Sequence, residues 1–247
     1  MSGAEFTVDT FLSGRVSVLQ PAKGFRAGTD SVLLAAALDD AATGEALEIG
    51  CGAGGALFPA AWRLKNMHFT GLEHDAEMAE LARRGAVRNG YEARVDVVEG
   101  DAGACSNGWE NRFDLVFSNP PFFGEGTIKQ PGEGKMEAYV ESLPLKGWID
   151  AMLFALRPKG TLIMIHRTAE LARILALIER RSGEITVMPV RPYPGAEAKR
   201  VIVRARKGLR SGPMRLLAGV DLFDAKGDAV SELMARVTSD GAGLDWG

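Results

Sequence analysis

The sequence predicts an α/β fold: a doubly wound, mostly parallel sheet ending in an antiparallel edge pair, with an N-terminal extension over about residues 1–40. Three observations predict it. Short apolar runs alternate with amphipathic stretches from residue 46 onward, and such alternation implies parallel strands joined by right-handed crossovers. One run opens directly into the Gly-rich GCGAGG (50–55), a strand-to-helix turn of the kind that lets a ligand approach the backbone. The last two runs are joined by a Pro- and Gly-rich turn without a helix, which suits an antiparallel pair.

Taken in order, a helix is expected over 31–38, followed by a strand at ALEI (46–49) and another at HFTGLE (68–73). DAEMAELARRGAVRNG (75–90) reads as an amphipathic helix, with Asp75 able to cap its start and Asn89-Gly90 supplying a left-handed stop. RVDVVEG (94–100) and FDLVFSN (113–119) are the third and fourth strands, and GEGTIKQPGEGK (124–135) reads as a mobile loop. A helix at 148–156 stops at Pro158-Lys159-Gly160 before strand TLIMIH (161–166), and a helix at 169–183 follows. EITVMPV (184–190) and RVIVRAR (200–206) form the closing pair. No repeat or low-complexity linker divides the chain, so residues 1–247 are expected to be a single domain.

Composition excludes several classes. A hydrophobic fraction of 46% and a charged fraction of 25% are those of a globular chain, not of a disordered, collagen-like or coiled-coil one. No apolar run nears the ~20 residues that span a bilayer, and the first residues lack a secretory pattern. Two cysteines, Cys51 and Cys105, fit a reducing compartment, so the expected location is cytoplasmic. The net charge of −3 hides an asymmetry: residues 191–215 hold eight Lys/Arg and one acid, leaving 21 bases and 31 acids elsewhere. That basic run reads either as a polyanion-contacting stripe or as charges guarding a strand edge.

The first three strands end near acids, Glu48, Glu73 and Asp101, and the fourth ends in Asn119. Gly50, Gly52 and Gly55 match G-x-G-x-x-G, with Glu73 about 20 residues on, as a dinucleotide site would have it. Glu48 argues against that ligand. It lies two residues before the first glycine, where a carboxylate would repel a pyrophosphate. It suits a ligand with a cationic end, such as the ammonium and sulfonium of S-adenosylmethionine. Glu73 then accepts from the ribose hydroxyls and Asp101 from the adenine amine, with Gly50, Gly52 and Gly54 forming the cradle. The bland alternatives are a tight turn for the glycines, a satisfied strand-end acid for Glu48, an ion pair for Glu73 and a turn cap for Asp101.

Asn119-Pro120-Pro121-Phe122 carries the chemistry. The lone pair of an exocyclic base amine is delocalised into the ring, so the amine is planar and weakly nucleophilic. Two acceptors gripping its N–H bonds, the Asn119 side-chain oxygen and the Pro120 carbonyl, would pyramidalise it. Proline stiffens this segment and so preorganises the acceptors. Phe122 offers a flat face for an extruded base. The alternative is a Pro-Pro strand stop with a core aromatic. Adenine, cytosine, guanine and glutamine amide nitrogens all fit this logic, so the methylated group stays open at this point.

With LEIGCGAGG and NPPF the chain resembles class I S-adenosylmethionine-dependent methyltransferases. QPAKGFRAGTDSVLLAAAL (20–38), LRPKGTLIMIHR (156–167) and AKRVIVRARKG (198–208) extend the resemblance to the bacterial valine-tRNA adenine-N6 methyltransferases over most of 15–210. The resemblance implies a Rossmann-like seven-stranded sheet with the last strand inserted antiparallel, and methyl transfer to an adenine of tRNA. It also implies cofactor contacts at Glu48, Gly50, Gly52, Glu73 and Asp101, and amine contacts at Asn119, Pro120 and Phe122. Phe122 stands where the family often has Tyr, which keeps stacking and loses a hydroxyl. Residues 211–247 match weakly, and the acidic body is unusual for a tRNA binder.

In GFRAGTD, Thr29 or Asp30 caps the following helix, or the loop covers the cofactor with Phe25 and Arg26 facing substrate. Lys199 and Arg200 in the basic run are further candidate substrate contacts. His68, His74 and His166 lack metal-ligand spacing, so no metal is expected, and Cys51 reads as a packed residue. Rival readings are a guanine amine of rRNA or a protein glutamine amide as methyl acceptor, a nucleotide-dependent oxidoreductase, and a non-catalytic RNA-binding module.

Overall fold

The computed structural model describes residues 6–23, 26–104, 107–121, 143–209 and 212–247. The expected loop at 124–135, with Phe25 and Phe122, lies outside them. An antiparallel hairpin, β1 (Phe6–Phe11) and β2 (Val16–Pro21), comes first, followed by α1 (Thr29–Ala36). The alternating part is β3 (Gly44–Ile49), α2 (Leu57–Arg63), β4 (Met67–Glu73), α3 (Ala76–Arg88), β5 (Val95–Glu99) and β6 (Phe113–Ser118). It continues through α4 (Leu145–Ala155), β7 (Leu156–Arg167), α5 (Leu171–Ile178), β8 (Ser182–Arg191) and β9 (Arg200–Lys207). Short strands β10 (Arg215–Leu216) and β11 (Val220–Asp221) and helix α6 (Glu232–Asp240) complete it.

Seven strands lie in the order β5-β4-β3-β6-β7-β9-β8. β3 to β7 pair in parallel, and β9 is antiparallel to both of its neighbours. The expected antiparallel pair is present, but it is not a simple edge. The crossover from β7 through α5 leaves a gap one strand wide, which β9 fills. β10 and β11 then cover the outer side of β8.

The sheet separates two cores. Ala46, Phe69, Leu115, Phe117, Ile163, Ile165 and Ile202 pack toward α1, α2, α3 and α6. Leu47, Ile49, Val116, Leu162, Met164 and Val203 pack toward α4 and α5. This strict alternation is the period of two that strands impose. It fixes which side chains can meet at the sheet edge.

Local signals behave unevenly. Asp75 caps α3, its Oδ1 accepting from Glu77 N at 2.8 Å and Met78 N at 3.1 Å, and Gly90 is left-handed at φ +69°. The expectation that Thr29 or Asp30 caps α1 is overturned. The N-cap is Gly28, with no side-chain cap, because Asp30 is instead drawn to Arg200. The helix expected at 169–183 is shorter, since Ser182 and Gly183 already belong to β8.

The C-terminal segment, whose role the sequence leaves open, closes the first core. Trp246 is 6% exposed, donates through Nε1 to Ala37 O at 2.8 Å, and carries the Arg204 guanidinium 4.4 Å from its ring centroid. Leu244 N donates to Ala36 O at 2.7 Å and Arg63 Nε to Gly241 O at 2.9 Å. The tail thus satisfies carbonyls that the end of α1 leaves unpaired. Trp246→Ala should destabilise the fold by about 3–5 kcal/mol. The check is a urea titration, with the midpoint expected to fall by roughly 1–2 M.

Candidate active site

Parallel pairing puts the carboxyl ends of β3, β4, β5, β6 and β7 along one edge, and the candidate residues gather there. Gly50 N and Cys51 N both donate to Leu72 O, at 2.8 and 3.1 Å, which folds the glycine loop back over β4. Gly50, Gly52 and Gly54 have φ of +74°, +53° and +95°, conformations that side chains resist. Their surroundings differ. A Cβ on Gly54 would lie 2.4 Å from the Phe58 ring and one on Gly50 2.7 Å from Trp148, whereas one on Gly52 would meet only Met78 Cε at 3.7 Å. Gly52 is therefore the open position of the cradle, and Gly54 is also held by packing.

Glu48 is 2% exposed and shares the α1–α3 face with Ala46. One of its bonds comes from the Leu57 backbone N–H at the start of α2. Its Oε2 is buried with no partner among the described residues. Burial first, then the neighbouring Glu73 charge, hold this carboxyl well above the usual carboxylate range. Gly71 stands beside it on β4, where a Cβ would strike Cys51 Sγ and Leu57 Cδ2 at 2.8 Å each. The lone glycine in HFTGLE is the sequence signal for this close approach.

Glu73 is 1% exposed. Its Oε2 accepts from Gly52 N at 2.7 Å and its Oε1 from Asp75 N at 2.9 Å. It braces the loop directly. Asp101 is exposed and accepts from Gly103 N at 2.8 Å, closing a short turn. Gly100 N bonds Glu73 O at 2.8 Å, which sets Asp101 just beyond Glu73. Cys51 is buried; burial, then Glu48 and Glu73, push its thiol up, so it is no nucleophile.

The donor set fits S-adenosylmethionine. An orphaned, buried carboxylate oxygen at Glu48 matches a cationic end, and Gly52 leaves backbone open beside Glu73.

On β6, Ser118 Oγ donates to Ile49 O at 2.7 Å, tying that strand end to β3. Asn119 follows, half-buried, with its Oδ1 buried and unpartnered among the described residues, and Pro120 is buried. Glu48 pairs in register with Phe117, so Asn119 continues the same face two residues on. His166 lies on the opposite face. Its Nδ1 accepts from Arg167 N at 2.9 Å, and burial lowers the imidazole to about 4, leaving it neutral near pH 7.

The segment before α1 crosses this edge. A Cβ on Gly55 would lie 2.2 Å from Ala27 Cβ, and Asp30 Oδ2 accepts from Arg200 Nε at 2.8 Å. Arg26 ion-pairs with Asp9 and donates to Pro21 O at 3.2 Å, so its guanidinium is anchored to the N-terminal hairpin.

The basic run is not a continuous stripe, because antiparallel β9 carries it from one sheet edge to the other. Arg191 bonds Asp221 at 2.6 and 3.0 Å, and Arg206 bonds Lys159 O at 2.9 and 3.0 Å. Lys207 bonds Asn111 Oδ1 at 2.8 Å, and Arg215 bonds Gly247 O at 3.3 Å. Arg210 lies outside the described residues. Lys199 is exposed at the carboxyl edge. Trp148, against Gly50, is a site neighbour that sequence reasoning missed; nothing in its spacing marks it.

A family model described as methyltransferase small domain matches residues 24–135. A Porphyromonas gingivalis protein named tRNA1(Val) (adenine(37)-N6)-methyltransferase is 31% identical over 204 residues, covering 78% of this chain and 79% of its own length. One of the same name from Aeromonas salmonicida is 26% identical, covering 86% and 88%. A crystal structure described as a predicted O-methyltransferase from Agrobacterium tumefaciens superposes with a TM-score of 0.72 at 27% identity, covering 87% of this chain and 98% of its own. This chain belongs to the class I S-adenosylmethionine-dependent methyltransferases, in the family of the bacterial tRNA1(Val) adenine-N6 enzymes.

Proposed function

We propose that this enzyme methylates the exocyclic N6 amine of an adenine in RNA, tRNA being the substrate class. The observation that carries the reading is the buried, unpartnered Asn119 Oδ1, on the same sheet face as the unpartnered Glu48 Oε2. The names of the Porphyromonas and Aeromonas relatives, which specify adenine 37 of a valine tRNA, support the choice of base and RNA.

S-adenosylmethionine, when bound, supplies a methyl group on a positively charged sulfur. Glu48 would hold its cationic end, Gly50 and Gly52 its backbone-proximal part, Glu73 its ribose hydroxyls and Asp101 its adenine. Asn119 Oδ1 and Pro120 O accept the two N–H bonds of the target amine and turn its lone pair outward. Phe122 stacks on the base. Lys199, exposed at the carboxyl edge with a side chain engaged by no described residue, contacts the RNA backbone, while Arg26 and Arg200 are held by Asp9 and Asp30. Positioning and preorganised acceptors do the work. Methylation of a hydroxyl, as the Agrobacterium description has it, would need a base to remove the proton, a role an amide cannot fill.

The test is nucleoside mass spectrometry of bulk tRNA, rRNA and protein after incubation with enzyme and cofactor. N6-methyladenine confined to tRNA is the expected product. A methylated guanine in rRNA or a methylated glutamine in protein would replace this reading with its rivals.

A further inference from the structure

The carboxyl edge holds one more unsatisfied group. Arg167 closes β7, and its Nε is buried with no acceptor among the described residues. β6 and β7 run parallel with Ser118 beside Met164. Asn119 therefore falls beside Ile165, and Arg167 two residues, roughly 7 Å, further along the adjacent strand. Alternation puts both on one face. Leu115 and Phe117 of β6 and Ile163 and Ile165 of β7 all enter the α1–α3 core, and Asn119 and Arg167 continue those rows. Arg200 stands opposite Arg167 on β9, but its guanidinium is bonded to Asp30. One face of one edge thus presents an orphan acceptor and an orphan donor.

Adenine carries the complementary pair. Its N6 hydrogens are donors, and the ring nitrogens flanking that amine, N1 and N7, are acceptors. In guanine the exocyclic amine is flanked on one side by N1–H, which would meet an arginine donor to donor. We propose that Arg167 donates through its guanidinium to a ring nitrogen of the target adenine, so that it reads the base whose amine Asn119 holds. The inference rests on the adenine-N6 reading above.

The experiment compares tRNA carrying adenine, 1-deazaadenine or 7-deazaadenine at the modified position, in single-turnover reactions with wild type, Arg167→Met and Arg167→Lys. Binding of S-adenosylhomocysteine by calorimetry and thermal melting accompany each protein. One deaza substitution should slow wild type by roughly 10- to 100-fold, the size of a lost charge-assisted hydrogen bond. Arg167→Met should lose a similar factor on adenine, show no further loss on that analogue, and bind S-adenosylhomocysteine as wild type does. Arg167→Lys should not restore the discrimination, because a contact to phosphate would accept lysine and a ring-nitrogen contact of fixed geometry does not. Equal wild-type rates on all three bases would overturn the role of Arg167 and leave the adenine-N6 reading standing, whether or not the variants fold. Equal deaza factors in wild type and variants would overturn it as well. Failure of wild type to form N6-methyladenine on the unmodified tRNA would remove both.

Discussion

Replacing Asn119 by alanine is expected to lower turnover about 100-fold or more, with the affinity for S-adenosylhomocysteine unchanged and the melting temperature equal or higher. The three outcomes share one cause. Asn119 Oδ1 is buried without a partner among the described residues, and an unmade hydrogen bond in the interior costs about 1–3 kcal/mol. Removing the amide therefore relieves the empty protein. Turnover suffers because, on the proposed reading, this oxygen holds an amine hydrogen while the lone pair turns toward the methyl. Single-turnover rates, calorimetry and a melting curve on the same preparation check all three. Wild-type turnover in this variant would end the catalytic assignment, and a large drop in melting temperature would reassign Asn119 to structure.

Glu48→Gln should weaken S-adenosylhomocysteine binding by roughly 10- to 100-fold, yet make the cofactor-free protein more stable at neutral and alkaline pH. The groups facing Glu48 set the sign. Among the described residues, Glu73 on β4 is a second acid, Cys51 in the glycine loop is a thiol pushed up by burial and by these acids, α2 offers the Leu57 N–H, and β6 brings the neutral Asn119 to the same face. The carboxyl is thus raised in the folded state above its unfolded value of about 4.3, so the native protein binds the extra proton. Stability is intact below the unfolded value. It falls as pH rises toward the folded value, where the full penalty is reached. Glutamine carries no such penalty, so the melting difference between variant and wild type should widen as pH climbs from the unfolded value toward the raised folded one, each kcal/mol reading as about 2–4 °C. An ammonium binds the ionised carboxylate, so wild-type cofactor affinity should rise with pH over the same window and that of the variant should not. Parallel melting curves would show that Glu48 is already ionised in the empty site.

The parallel core was legible because each strand is short, apolar and followed at once by a turn or cap, as Asp75 and Gly90 illustrate. The candidate site was legible in part for the same reason: parallel strands deliver whatever follows them to one edge, so Glu48, Glu73, Asp101 and Asn119 needed no long-range knowledge. What depended on distant partners was not legible. Asp30 resembles a cap in sequence and becomes the partner of Arg200, which lies 170 residues away. The basic run admitted a reading as one surface, beside that of a guarded strand edge, because charge was counted along the chain, whereas β9 distributes it across the sheet. Arg167 gave no signal, since an arginine at a strand end is ordinary until its neighbours leave its Nε without an acceptor. Trp246 was invisible because its packing partner is the end of α1.

The insertion of β9 between β7 and β8 has a consequence for how the molecule is assembled. β8 leaves the ribosome before the strand that must separate it from β7, so that half of the sheet stays open until residue 207 has been made. The Arg200–Asp30 link that fastens the segment over the carboxyl edge forms only with β9 in place. A nascent chain thus completes its glycine loop well before its roof, and a chaperone or protease meeting it in that interval sees an unzipped flank next to a parallel half whose first core still awaits α6 and Trp246.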